Sequence, residues 1–128
     1  MTKRELSEGL AAAARVRRDE LLSLAEDIAE RERVEVIASP SPSSVMIELT
    51  TSIGPFCFTE AVVTTARVRT RNGDGWGAVM GWDAQGALAG ALCDAAGGEH
   101  AAALARHALD DEASRRRDRM RAVAATKV

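Results

Sequence analysis

The segment from Val62 to Arg71 constrains the fold of this chain more than any other feature of its sequence. Side chains along a β-strand point alternately to opposite faces. One predicted face carries apolar and threonine side chains and the other carries three arginines: Val62, Thr64, Ala66, Val68 and Thr70 against Val63, Thr65, Arg67, Arg69 and Arg71. Asn72-Gly73 follows, and this pair predicts a tight turn because both residues tolerate positive φ. The sequence therefore predicts an antiparallel hairpin that joins a strand over Phe56 to Arg71 to one over Trp76 to Trp82.

Two further strands are expected before this hairpin. Val34–Ile37 alternates and contains β-branched residues, which favours a strand. Val45–Leu49 predicts a second strand, with three apolar side chains on one face: Val45, Ile47 and Leu49. The intervening Ser39–Ser44 is predicted to be a loop, because its two prolines cannot donate hydrogen bonds to a ladder.

Helices are expected on both sides of the strands. Thr2 and Glu5 match a capping box, which predicts a helix that begins at Lys3. Apolar residues then recur at intervals of three and four, and Arg17 interrupts them, which leaves one long helix or two short ones open. Asp83 is a suitable cap for a later helix, and Gly97 is suited to end it.

Together these patterns predict one α+β domain over residues 1–128, with a mostly antiparallel sheet of about four strands flanked by N-terminal and C-terminal helices. The predicted boundaries are helical 3–31, strands within 34–82, and helices over 83–96 and about 99–122. Apolar residues make up 46 % of the chain but aromatic residues only 3 %, and alanine dominates the apolar fraction. Small side chains bury little area each, so we expect a thin core and a face that a partner covers.

Charge and hydropathy exclude several classes of protein. Seventeen basic and nineteen acidic residues give a net charge of −2, which argues against a nucleic-acid-binding protein. No stretch approaches the roughly 20 apolar residues that span a bilayer, and the N-terminus lacks the apolar segment of a signal peptide. We therefore expect a cytoplasmic protein without a membrane segment, in which Cys57 and Cys93 are reduced and packed.

No set of residues has the spacing of a catalytic centre or a metal site. His100 and His107 lie seven residues apart, whereas two ligands on one helix are more often three or four apart, and no further ligand completes a site. Gly73–Gly77 contains a fragment of a phosphate-binding glycine pattern, but it lies within a hairpin rather than between a strand and a helix. We expect no catalytic residue and no directly bound cofactor.

Three features are candidates for contacts with a partner or an anion. Arg67, Arg69 and Arg71 place guanidinium groups along one predicted strand face, suited to phosphate oxygens or an acidic surface, or simply solvated. Trp76 and Trp82 share a strand parity and suit either an interface or the core. The basic run Arg115–Arg121 suits either anion docking or a solvated terminal helix.

The residues also carry a family resemblance. Val34–Ile37 and the strand that begins at Val45 are similar to the opening strands of the G subunit (PhnG) of bacterial carbon–phosphorus lyase. The stretch from Pro55 to Ala95 resembles the family more strongly, with matching residues in order: Thr64, Val68, Arg69, Gly73, Gly75, Val79, Gly81, Asp83, Ala87, Ala91, Leu92, Asp94 and Ala95. Thr65 and Trp82 stand where the family has basic residues.

The resemblance implies an accessory subunit rather than a free-standing enzyme. It implies a hetero-oligomer with the H, I and J subunits, with the L subunit acting functionally beside them. These proteins support the formation of a ribose 1-alkylphosphonate 5-triphosphate from MgATP and an alkylphosphonate. MgATP and the iron–sulfur cluster of the system would then belong to partner subunits. The alternative is a self-associating module, a homodimer that binds a small anion or an acidic peptide without enzyme partners.

Overall fold

The computed structural model of the chain describes residues 1–51 and 54–125, with side chains described for 1–46 and 60–125. Its elements are α1 (Lys3–Val16), α2 (Arg18–Arg31), β1 (Glu35–Thr51), β2 (Gly54–Thr70), β3 (Gly73–Met80), α3 (Ala84–Ala96) and α4 (Gly98–Ala125). The predicted α+β class with an antiparallel sheet is confirmed. The predicted shared face of Val45, Ile47 and Leu49 and the packing of Cys57 involve side chains outside the described ones.

The first helices begin and end where local side chains satisfy backbone groups. The Thr2 hydroxyl accepts a hydrogen bond from the Glu5 N–H at 3.1 Å, as the capping box predicts. Arg17 leaves the helical conformation, with φ of −139° and ψ of 47°, and separates α1 from α2. The helical region is therefore two helices rather than one.

The sheet has three strands among the described residues, in the order β1-β2-β3, and not the four that the sequence predicts. Ser39–Ser44 was expected to be a loop, and this expectation is wrong: the segment lies within β1. Pro42 lies opposite Thr64 in the ladder, and the register shifts near Pro40, between Ala38 and Ser41. β1 is an edge strand, where alternate N–H groups face away from the ladder, so proline is tolerated there.

The turn between β2 and β3 differs by one residue from the predicted one. Thr70 pairs with Gly73, so the two turn residues are Arg71 and Asn72. Gly73 has φ of 127°, a conformation that favours glycine. β3 ends at Met80, and Gly81, with φ of 85°, separates it from Trp82. Trp82 therefore lies outside the strand, contrary to the predicted end of this strand.

α3 is the centre of the fold. Asp83 caps it by accepting a hydrogen bond from the Gly86 N–H at 2.9 Å, and Gly97 ends it. One face of α3 packs on the sheet, and its other sides contact α1 and α2. The core is rich in alanine, and its largest fully buried side chains are Leu10, Leu21, Val68 and Cys93. A core of small side chains lets these elements approach closely.

Candidate functional site

The sheet has one covered face and one open face. The predicted alternation in β2 is confirmed, since Thr64, Ala66, Val68 and Thr70 are buried against the helices. The opposite side of β2 and β3, which we call the open face, carries Arg67, Arg69, Asp74, Trp76 and Met80, all exposed. About half the surface of Trp76 (49 %) and of Met80 (53 %) is exposed. No described element covers these side chains.

The three arginines that the sequence places on one strand face are divided in the structure. Arg69 donates hydrogen bonds to both carboxylate oxygens of Asp74, from Nε at 2.7 Å and from Nη2 at 3.4 Å. Arg67 Nη2 lies 3.9 Å from the same carboxylate. Arg71 occupies the turn and lines a cavity at the end of the sheet, together with Arg31, Arg33 and Arg69. The open face therefore carries two guanidinium groups on one carboxylate, while Arg71 belongs to the turn and shares a cavity with Arg69.

Asp74 reduces the net charge of Arg67 and Arg69. The hydrogen bond from Arg69 holds the pKa of Asp74 below its ordinary value and raises the pKa of Arg69. Because Asp74 is ionised at neutral pH, it neutralises one of the two arginines. The remaining charge is available to an acidic surface or to a phosphate group.

The two tryptophans lie in different environments. Trp76 lies in β3 directly opposite Arg67 in the ladder. Trp82 lies in the connection to α3 and is the most exposed large apolar side chain of the described residues, at 77 %. Neither is among the buried residues of the core, and the interface remains a prediction for both residues.

Asp94 is a buried carboxylate that positions the open face, and sequence reasoning gave it no role. Its Oδ2 accepts a hydrogen bond from the Trp76 N–H at 2.9 Å and so ties α3 to the edge of β3. Its Oδ1 accepts no hydrogen bond and lies 3.3 Å from the Lys3 ammonium. The available signal is that Asp94 is the one charged residue within the apolar helix α3.

β1 and β2 extend as a two-stranded ribbon beyond the end of β3. We define the hairpin arm as residues 45–51 and 54–61, from the Val45–Ala61 pair outward. At about 3.4 Å per residue, it extends the sheet by about 24 Å. At its base Val45 and Met46 point to opposite faces, and both are exposed. A two-stranded ribbon is marginally stable alone, and both of its edges offer free backbone hydrogen-bonding groups.

The described residues contain no cluster of three or more histidine, cysteine, aspartate or glutamate side chains that could hold a metal ion. Burial raises the pKa of the Cys93 thiol to about 12, with a smaller contribution from Asp94, so this residue is not a nucleophile at neutral pH. His100 and His107 are exposed on α4. None of the described helices combines the length and hydropathy that a bilayer crossing requires.

Comparison with known proteins places the chain in a family. A family model described as "Phosphonate metabolism protein PhnG" matches residues 4–128, nearly the whole chain. A comparison with curated proteins finds no match. The family match extends past the resemblance in the sequence, which covers roughly residues 20 to 96, to include nearly all of α1 and the whole of α4. The chain is a member of the PhnG family of phosphonate metabolism proteins.

Proposed function

We propose that the chain is an accessory, non-catalytic subunit of the carbon–phosphorus lyase system. It would support the formation of a ribose 1-alkylphosphonate 5-triphosphate from MgATP and an alkylphosphonate. Family membership supports the place in phosphonate metabolism. The partners would be the H, I and J subunits in one cytoplasmic complex, with the L subunit acting alongside. MgATP and the iron–sulfur cluster would bind to those partners.

The observation that carries this proposal is the open face of the sheet. It exposes Trp76 and Met80 beside Arg67 and Arg69, and Asp94 fixes the backbone of β3 beneath it. Exposed aromatic and arginine side chains on a rigid strand are typical of the residues that dominate binding energy at interfaces. A partner seated here would supply the burial that the alanine-rich core lacks.

The hairpin arm supports the same conclusion. Its two edges have no neighbouring strand among the described residues, and a ribbon of this length gains stability when another chain covers it. Strand addition at such an edge uses backbone hydrogen bonds that are already aligned. We therefore infer that the arm and the open face contact the partner subunits together.

Co-purification tests the proposal. The tagged chain is expressed with the H, I and J subunits and analysed by size-exclusion chromatography with light scattering. We expect one complex that contains all four proteins, whereas the chain alone turns over neither a phosphonate nor a nucleotide. A stable homodimer that ignores the other subunits would favour the self-associating module instead.

A double variant locates the interface. Trp76→Ser with Met80→Ser removes apolar surface from the open face. We expect the affinity for the partner subunits to fall at least tenfold while the thermal stability of the chain is unchanged. Met120→Ser is the control, because Met120 is an exposed methionine on α4 (68 %, against 53 % for Met80), far along the chain from the sheet. Equal loss with both variants would contradict the open face as the interface.

A further inference from the structure

A second basic region lies between α1 and α4, away from the open face. A cavity of about 390 Å³ is lined there by Arg15, Glu112, Arg115, Arg116 and Arg119, together with Val16. Arg15 comes from the end of α1 and the other charged residues from successive turns of α4. Four guanidinium groups thus line the cavity together with one carboxylate. The run Arg115–Arg121, which the sequence singled out, supplies three of them.

The single carboxylate is already engaged. Arg15 Nε lies 2.6 Å from Glu112 Oε2. Asp111, which precedes Glu112 on α4, is bound by Arg17 at 2.6 Å. Among the described residues, Arg115, Arg116 and Arg119 form no salt bridge, and they attract these carboxylates only at longer range: Arg115 attracts Asp111, and Arg116 and Arg119 attract Glu112. Four guanidinium groups and one carboxylate line the cavity, so it carries an excess of positive charge.

The excess of positive charge on this part of α4 favours an anion. Arg115 and Arg119 lie four residues apart on one helix face and repel each other, whereas Asp111 and Glu112 lie four residues before Arg115 and Arg116 and attract them. A cluster of this kind gains stability when an anion binds, because guanidinium groups donate paired hydrogen bonds to phosphate oxygens. The cavity is larger than one phosphate group and has the volume of a small-molecule site.

From this geometry we propose that the cavity between α1 and α4 binds an anion with two or more linked phosphoryl groups. Arg116 and Arg119 would contact the terminal groups, and Arg15 would remain with Glu112. This site is independent of the open face and of the partner subunits, since all of its residues belong to this chain. Its test uses the chain alone, so its failure would not affect the proposed subunit role.

Calorimetric titration of the full chain with inorganic pyrophosphate tests the proposal. We expect saturable binding of one pyrophosphate and weaker binding of inorganic phosphate. Arg116→Gln with Arg119→Gln should weaken pyrophosphate binding by at least about tenfold. Circular dichroism checks that the helix content of the variant is unchanged.

The control removes the same charge elsewhere. Arg31→Gln with Arg33→Gln alters another basic cavity, at the end of the sheet, and should weaken binding less than about threefold. Equal weakening by both variants would overturn the proposal, because it would show a general charge effect. Phosphate binding as tight as pyrophosphate, or tighter binding of a hexaglutamate peptide, would overturn it as well.

Discussion

Gly77 and Gly90 face each other where β3 crosses α3, and they differ in the space around them. A Cβ on Gly77 would collide with the carbonyl oxygen of Ala87 and lie 2.7 Å from the Ala91 nitrogen, both of which are backbone atoms. A Cβ on Gly90 would meet only the Gly77 Cα, at 3.8 Å. Glycine is therefore required at position 77 in β3, whereas position 90 in α3 has room for a side chain.

This difference predicts opposite effects of the same substitution. Gly77→Ala forces the helix from the sheet and should lower the free energy of unfolding by about 1–3 kcal/mol. Gly90→Ala restricts the conformations of the unfolded chain at no steric cost to the folded one. It should therefore raise the free energy of unfolding by about 0.5–1 kcal/mol. Urea denaturation of the two variants checks both signs. Equal effects would contradict the close approach of β3 and α3.

The Arg18–Asp83 pair predicts a pH dependence. Arg18 binds both oxygens of Asp83, at 2.7 and 2.8 Å, and this hydrogen bonding holds the pKa of Asp83 below its ordinary value of 3.8. A carboxyl with a lowered folded-state pKa stabilises the fold above its unfolded pKa. This contribution is lost as the pH falls through the folded pKa.

Asp83→Asn isolates this contribution, because asparagine retains an oxygen for the cap on Gly86 but carries no charge. At about pH 6 the variant should be less stable by about 1 kcal/mol. The gap should narrow as the pH falls through the folded-state pKa of Asp83, because the protonated carboxyl is uncharged too. Denaturant unfolding over a series of acidic pH values measures the gap, and a gap that widens on acidification would refute the pair.

At the scale of whole elements, α4 is longer than the fold requires. Its 28 residues extend about 42 Å, but its last buried residue is Ala108. Arg15 of α1 and Arg17, which lies between α1 and α2, bind Glu112 and Asp111 of α4, and residues 114–125 are exposed. The second half of α4 therefore contributes little to the core.

Truncation after Ala113 tests this division. The free energy of unfolding should change by less than about 0.5 kcal/mol, as for other exposed surface changes. Helical circular dichroism should fall in proportion to the residues removed, and pyrophosphate binding should disappear with Arg116 and Arg119. A loss of stability of more than about 2 kcal/mol would instead show that the removed turns pack on the domain.

Local signals in the sequence predicted local structure well. The caps at Thr2 and Asp83 and the alternation through Thr64–Thr70 depend on neighbours within a few residues, and all three are confirmed. The prediction of a loop over Ser39–Ser44 is wrong. A strand accepts Pro42 only at the edge of a sheet, and the position of a strand in the sheet depends on the topology rather than on neighbouring residues. The role of Asp94 likewise depends on where α3 crosses β3, a long-range contact without a local signal.

For the whole molecule, the arginines of the open face and the turn give a prediction about assembly. Arg67→Gln, Arg69→Gln and Arg71→Gln together remove three exposed cations without touching the core. We expect folding to be retained and the binding of partners or of a phosphate-bearing ligand to weaken by well over about 0.5 kcal/mol. Titration of the purified chain with the partner subunits measures the change, and unaltered affinity would return these residues to a solvated role.

Asp74→Asn provides a variant with the opposite sign. It releases Arg67 and Arg69 from the carboxylate that neutralises them and raises the positive charge of the open face. If that charge meets an acidic surface or a phosphate group, the variant should bind more tightly than the wild type, and the gain should shrink as salt screens it. If the arginines serve only to pair with Asp74, the same substitution should leave affinity unchanged and lower stability slightly. The sign of the change in affinity therefore separates an interface from a surface ion pair.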